Sequence, residues 1–231
     1  MDNTVTSDLI LNADRHLAEG GRALGLPLSE EMRAQLTKYL ELLYEWNQRI
    51  NLTRISPEDA VPLHFLDSLL IASVVTMPRG GYVIDIGCGA GLPGLCIAIC
   101  WPDINVTLID GTRKKIAFVQ HVIDTLGLTN ARALHARAET LCLEDAHRHA
   151  YDIVVARAVA ELGLLGKLFA PLMRKGSVGV AYKGPEVEKE LKGAKKELTR
   201  LRLEATVTPV RIPGTDLERR MVVFRGESKV S

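Results

Sequence analysis

A doubly wound α/β fold with an N-terminal helical extension is what this chain of 231 residues predicts. Three features point to it. From Tyr82 onward, short apolar runs alternate with segments of helical periodicity, as in a mainly parallel sheet covered on both faces. The first of those runs ends in a carboxylate and a glycine turn, Asp85-Ile86-Gly87-Cys88-Gly89-Ala90-Gly91-Leu92-Pro93-Gly94. Before Tyr82 the apolar residues recur at helical spacing only.

Within 1–77, Leu36, Leu40, Leu43 and Tyr44 mark one helix face, and Leu66, Leu69, Leu70 and Ser73 mark another. Ser29 follows the Leu26-Pro27 break and precedes Met32 and Arg33, so it is placed to start a helix. Strands are expected at 82–87, 105–110, 131–136, 151–156, 177–183, 204–211 and 219–225. Helices are expected at 92–100, 113–127, 161–173 and 185–202. Only Pro213-Gly214-Thr215-Asp216 joins the last two strands, which is too short for a crossover, so they pair antiparallel. The expected division is a helical cap over 1–77 and a Rossmann-like domain over 78–231, forming one compact unit. Seven mainly parallel strands with a terminal antiparallel hairpin are the outline of class I S-adenosylmethionine-dependent methyltransferases.

Hydrophobic residues make up 47% of the chain and charged residues 25%, enough apolar material for a sizeable core. Cys88, Cys96, Cys100 and Cys142 show no C-x-x-C spacing, which favours a reducing compartment. Met1–Asp8 is polar and acidic and does not read as a signal peptide. The longest apolar run, Leu92 to Trp101, is too short to span a bilayer and is broken by Pro93 and Gly94. A cytoplasmic location and no membrane partner are therefore expected. Residues 1–80 carry 7 basic and 11 acidic side chains, and 81–231 carry 22 and 17. That excess fits either a basic face or an ordinary mixed surface.

Gly89-Ala90-Gly91-Leu92-Pro93-Gly94 fits G-x-G-x-x-G, and Asp110 follows Gly89 by 21 residues, the place of a ribose-binding acid. A nicotinamide dinucleotide fits that pattern. Asp85 argues against it, because a carboxylate at the end of the first strand would repel a pyrophosphate. It would favour the amino group and sulfonium of S-adenosylmethionine. A turn kept only for tight strand–helix packing is the bland alternative. Gly87, Gly89 and Gly91 would let a ligand approach bare backbone, and the amides of the following helix would face it. Ala138-Glu139 closes the third strand region, where Glu139 either grips an adenine edge or caps the next helix. Arg157, ending the fourth strand, points into the crevice and needs an anion. A methionine carboxylate, a nucleic-acid phosphate and an internal aspartate are the candidates.

Read together, these residues resemble the RsmG (GidB) family of bacterial small-subunit ribosomal RNA guanine-N7 methyltransferases. The likeness covers about residues 30–226. Its most specific pieces are Trp46-Asn47, Asn51-Leu52-Thr53, His64 with Leu66-Asp67-Ser68, and the run from Asp85 to Gly94. Weaker pieces are Ala138-Glu139, Arg157-Ala158, Lys183-Gly184 and Arg219. The resemblance implies S-adenosylmethionine as cofactor, with contacts at Gly87, Leu92, Ala138, Glu139 and Arg157. It also implies small-subunit RNA, free or in an assembling subunit, as partner. Two departures stand out: Gly111 follows Asp110 where the family commonly has serine, and 145–150 looks longer than usual. The His147-x-His149 pair in that insertion reads as a solvated loop, and no metal is expected.

Guanine N7 has an in-plane lone pair and no proton to lose, so the implied reaction needs positioning and no general base. Arg157 and Lys183 are candidates to hold RNA or guanine, Asn47 and Asn51 to present amides to a base edge, and His64 and Arg219 are further substrate-positioning candidates. Asn51 with Thr53 could equally form a local turn, and His64 and Trp46 could be core residues. Candidate phosphate contacts are Arg113, Lys114 and Lys115, and then Lys192, Lys195, Lys196, Arg200 and Arg202. Glutamates share the later segment, so pairing on a wet face competes there. A small-molecule methyltransferase with the acidic helices as a lid is the alternative function.

Overall fold

The computed structural model describes residues 3–226. Helices α1 (Asn3–Ala23) and α2 (Glu30–Asn47) come first. A π-helix over Val61–Leu66 then runs into α3 (Asp67–Leu69) and a 3-10 turn over Leu70–Ser73. The alternating part follows: β1 (Tyr82–Ile86), α4 (Gly94–Cys100), β2 (Asn105–Asp110), α5 (Arg113–Leu126), β3 (Ala131–His135) and α6 (Ala138–Leu141). It continues with β4 (Tyr151–Arg157), α7 (Leu162–Phe169), β5 (Met173–Lys183), α8 (Val187–Arg200), β6 (Leu203–Arg211) and β7 (Glu218–Gly226).

Ser29 starts α2 as expected, its hydroxyl accepting the Met32 N–H at 3.2 Å. Glu30 and Glu31 in the first turn suit the positive end of the helix dipole. The buried face of α2 includes Leu36, Tyr39, Leu40 and Leu43. The seven strands lie in the order β3-β2-β1-β4-β5-β7-β6. All neighbours from β3 to β5 are parallel, while β7 runs antiparallel to both β5 and β6. Strand order reverses between β1 and β4, which opens a crevice at the carboxyl edge of the sheet.

Successive side chains of a strand point to opposite faces, and the core divides accordingly. Val83, Leu108, Val155 and Val180 pack with α2, α4, α5 and the π-helix, through Tyr39, Leu95, Phe118 and Phe65. Ile84, Ile109, Val154 and Phe224 pack under α7 and α8, through Leu165, Phe169 and Leu198. The N-terminal helices thus share a core with one face of the sheet. No described helix is long and apolar enough to cross a membrane.

The largest departure from expectation lies between α7 and β5. The helix expected to reach 173 stops at Phe169, and β5 already begins at Met173. Ala170 keeps helical dihedral angles, but Pro171 has no N–H with which to continue the ladder, and the chain turns there. Met173 and Ser177 are buried while Arg174, Lys175 and Gly176 are exposed, so the start of this strand carries little apolar pattern.

Candidate functional site

The crevice has two walls built by different means. The first is the turn between β1 and α4. Its backbone closes on itself, with the Gly91 and Leu92 N–H groups donating to the Cys88 carbonyl at 2.8 and 2.9 Å. Cys88 N–H donates to the Ile109 carbonyl at 2.9 Å, which ties the turn to β2. Asp110 adds two bonds: Oδ2 accepts the Gly89 N–H at 3.1 Å, and Oδ1 accepts the Thr112 N–H at 2.8 Å. A carboxylate can accept about four hydrogen bonds, so Asp110 retains acceptor capacity at the crevice rim.

The glycines of the turn do unlike work. A side chain at Gly94 would meet Leu108 Cδ2 at 2.6 Å and Asp85 Oδ2 at 2.8 Å, so this glycine serves close packing. Gly89 has φ +58° and would meet nothing nearer than 4.0 Å. Open space beside a left-handed backbone is what a ligand approaching bare amides needs. Leu92 and Ala90 are buried beneath the turn.

Asp85 is fully buried, and its Oδ2 accepts the Gly94 N–H at 2.7 Å. The first amide of α4 is therefore taken from inside, where the sequence had suggested that the helix amides face a ligand. Asp85 Oδ1 has no hydrogen-bond partner among the described residues. Burial pushes the Asp85 carboxyl up to about 7, against the opposing pull of the Gly94 N–H and the Arg157 charge. A buried carboxylate with one unpartnered oxygen favours positive charge nearby. The turn is also braced from α2, where the Tyr39 hydroxyl donates to the Ala90 carbonyl.

The second wall gathers residues from distant parts of the chain. Arg157, at the end of β4, donates from Nη1 to Asp67 Oδ2 at 3.0 Å, so its partner is the internal aspartate. Arg219, on β7, donates to the same carboxylate from Nε at 2.8 Å and from Nη2 at 3.0 Å. Asp67 is fully buried. It follows the π-helix, and next to it the Ser68 carbonyl accepts the Tyr182 hydroxyl of β5 at 2.6 Å. Ala158, just after Arg157, holds φ +55°, a sparsely populated conformation for a non-glycine residue. Sequence reasoning gave Asp67 no role, although its H-x-L-D-S string was visible.

Other candidates are spent on the scaffold. Lys183 donates to the Ala160 carbonyl at 2.7 Å and pairs with Glu190 at 2.6 Å. Asn47 takes the Leu52 and Thr53 N–H groups on Oδ1 and donates to the Thr53 carbonyl, clamping the loop after α2. His64 is buried, with Nε2 at 2.7 Å from Thr53 Oγ1. Burial and the Arg157 charge pull its pKa down to about 3, so the ring is neutral. Trp46 packs between Phe118 and His121, with ring centroids 5.6 and 5.2 Å apart. Asn51 is exposed. Ala138 is buried at the start of α6 and Glu139 is exposed; no side chain caps that helix.

In the insertion at 145–150 the solvated reading fails for His147 and holds for His149, which is exposed. His147 is buried with Nδ1 at 2.6 Å from the Tyr151 hydroxyl, and His149 Nδ1 lies 2.9 Å from the Met173 carbonyl. Among the described residues no group of three potential ligands is placed to hold a metal. Arg113 and Lys114 are exposed on the first turn of α5, and Lys115 stands 4.0 Å from Asp110. On α8, Arg200 pairs with Glu197 at 2.6 Å, while Lys192, Lys195 and Lys196 are exposed. Arg202, just beyond it, is also exposed.

This sheet, with its carboxylate-ended first strand and open glycine turn, has the architecture of a class I methyltransferase. Solved structures agree at the level of fold. A SAM-dependent methyltransferase from Aquifex aeolicus superposes with a TM-score of 0.52 at 15% identity, covering 72% of this chain and 92% of that one. A predicted O-methyltransferase from Agrobacterium tumefaciens gives 0.53 at 19% identity, covering 71% and 80%. The family is narrower. The model of the GidB family, rRNA small subunit methyltransferase G, matches residues 32–219, and the chain belongs to that family. The ribosomal RNA small subunit methyltransferase G of Chloroflexus aggregans is 43% identical over 89% of this chain and 87% of its own length. That of Lysinibacillus sphaericus is 41% identical over 81% and 79%.

Proposed function

We propose that this protein transfers a methyl group from S-adenosylmethionine to N7 of a guanine in small-subunit ribosomal RNA. The observation that carries the cofactor reading is the pairing of an open Gly89 backbone with the unpartnered Asp85 Oδ1. Family membership carries the RNA reading. The residues present fit the cofactor. Asp85 suits its cationic end, Gly87, Gly89, Gly91 and Leu92 form the turn beneath it, and Asp110 has acceptor capacity left for ribose hydroxyls. Ala138 and Glu139 stand where the adenine edge is expected. When bound, S-adenosylmethionine supplies an electrophilic methyl group on a sulfonium.

The protein's own part is to position and to exclude water. Guanine N7 needs no proton removed, so no general base is assigned, and His64 is neutral and turned to Thr53. Lys183, Asn47 and His64 shape the wall of the site from within. Exposed Asn51, Arg113 and Lys114 are better suited to meet RNA directly. The helices of 1–77 act as a cap on the domain of 78–231, and the cytoplasm, where ribosomal subunits are assembled, is the proposed place of action.

The test is methyl transfer from labelled S-adenosylmethionine to small subunits, or to their free RNA, from cells lacking this protein. The RNA is then digested and analysed for 7-methylguanosine. Label in that nucleoside only with active protein is the expected result. Cofactor binding without labelled RNA would sink the substrate reading and leave the cofactor reading standing.

A further inference from the structure

The buried cluster at the second wall does not balance its charge. One carboxylate, Asp67, meets two guanidinium groups, Arg157 and Arg219. The two arginines do not share it equally. Arg219 takes both oxygens in a fork, from Nε at 2.8 Å and from Nη2 at 3.0 Å. Arg157 makes one bond to it, from Nη1 at 3.0 Å, and a longer one of 3.4 Å to the Leu63 carbonyl. Nε and Nη2 of Arg157 have no partner among the described residues. A bidentate arginine–carboxylate pair is close to neutral as a unit, so the charge left over belongs to Arg157.

We propose that Arg219 is a positioning residue that never touches the ligand: it neutralises Asp67, and so frees Arg157 to receive the carboxylate of an amino-acid end. This rests on the cofactor reading above. Without Arg219, Asp67 would be the sole counterion of Arg157. An incoming carboxylate would then meet a neutral pair and a nearby negative charge. Asp67 is wholly buried, so no water screens that repulsion. The side chain of Arg157 is 16% exposed and that of Arg219 29%, so neither is sealed from the crevice, and it is the bonding and not the exposure that marks Arg157 as the one with charge to spare. Strand geometry puts the free charge in the right place. Arg157 ends β4, which pairs directly with β1, whose Asp85 has its own free oxygen. Asp85 is itself fully buried, so it acts on the positive end of an amino-acid group as a nearby charge, while Arg157 receives the negative end.

The test compares two ligands that differ only in that end. S-adenosylhomocysteine carries the amino-acid group, and 5′-methylthioadenosine lacks it. Binding of each is measured by calorimetry on the wild-type chain and on R219Q, with thermal unfolding as the check on folding. R219Q is expected to bind S-adenosylhomocysteine about tenfold more weakly and methylthioadenosine unchanged. R219K, which keeps the charge and loses the fork, should recover part of that loss. An equal loss for both ligands would make Arg219 merely structural and overturn the proposal, as would no loss for either. If R219Q does not fold, the same pair of ligands is measured on R219K, where a loss confined to S-adenosylhomocysteine supports the proposal and any other pattern overturns it. Failure of the wild-type chain to bind S-adenosylhomocysteine would overturn the cofactor reading and this inference with it.

Discussion

The two walls of the crevice differ in charge and in how the chain assembles them. The glycine-turn wall is acidic, carrying Asp85 and Asp110, and its bonds are local: Asp85 to Gly94 spans nine residues and Asp110 to Gly89 spans 21. The opposite wall is basic, and Asp67 reaches its two arginines across 90 and 152 residues. A local wall forms wherever its strand–turn–helix unit forms. The distant wall exists only once β4, β7 and the segment after the π-helix have all docked. On the proposed reading, cofactor attraction and cofactor orientation then have separate structural origins, and each can be broken alone.

The largest effect is expected at Asp85. D85N keeps an acceptor for the Gly94 N–H and removes the charge, and cofactor affinity should fall by about ten- to a hundredfold. Stability should move the other way. The folded carboxyl titrates near 7 against an ordinary value of 3.8, so the folded state holds its proton more tightly than the unfolded one. Its contribution to stability is then fullest below about 4 and is lost as pH rises to 7. Unfolding temperatures should therefore show D85N gaining on the wild-type chain across that interval. In the same range, cofactor binding to the wild-type chain should tighten with rising pH, because a cation prefers the ionised acid. A D85N chain that is less stable than wild type at pH 8, or a flat affinity between pH 5 and 8, would remove this carboxylate from the acidic wall.

This wall was also the legible one. Asp85, the glycines and Asp110 lie within one short stretch, and a carboxylate beside a glycine turn is a pattern with its own chemistry. The strands beside it were readable because parallel strands buried on both faces are near-continuous apolar runs. β2 falls where 105–110 was expected, and β1 ends one residue short of the expected 87. Arg157 was legible as a residue in need of an anion, but the anion was not. Asp67 sits among leucines at helical spacing, where an aspartate looks like part of a wet face, and no local pattern names partners so far away. The end of α7 escaped for a simpler reason: helical periodicity runs on through Leu168 and Phe169, and only Pro171 stops it.

A smaller effect is expected on the basic wall. R157A removes the free guanidinium but leaves the Arg219–Asp67 fork in place, so the buried carboxylate keeps its counterion. Methyl transfer should fall by about tenfold, through weaker cofactor binding, with the fold retained. Circular dichroism and a methyl-transfer assay together check this. Wild-type turnover in a folded R157A chain would mean that the basic wall is scaffold only, and the two walls would no longer divide the work.

The smallest effect asks whether the acidic wall is as local as it looks. Tyr39 reaches down from α2, 51 residues away in sequence, and its buried hydroxyl donates to the Ala90 carbonyl at the centre of the turn. Y39F keeps the ring among Phe65 and Phe118 and deletes that one donor. The loss should be about 1 kcal/mol, or roughly 2–4 °C in Tm for a chain of this size. If the turn holds its shape by its own bonds to Cys88 and Asp110, cofactor affinity will follow stability only slightly, by less than about threefold. A larger drop in affinity than in stability would show that α2 sets the turn. The glycine wall would then be as dependent on distant docking as the arginine wall, and the contrast between them would be one of charge alone.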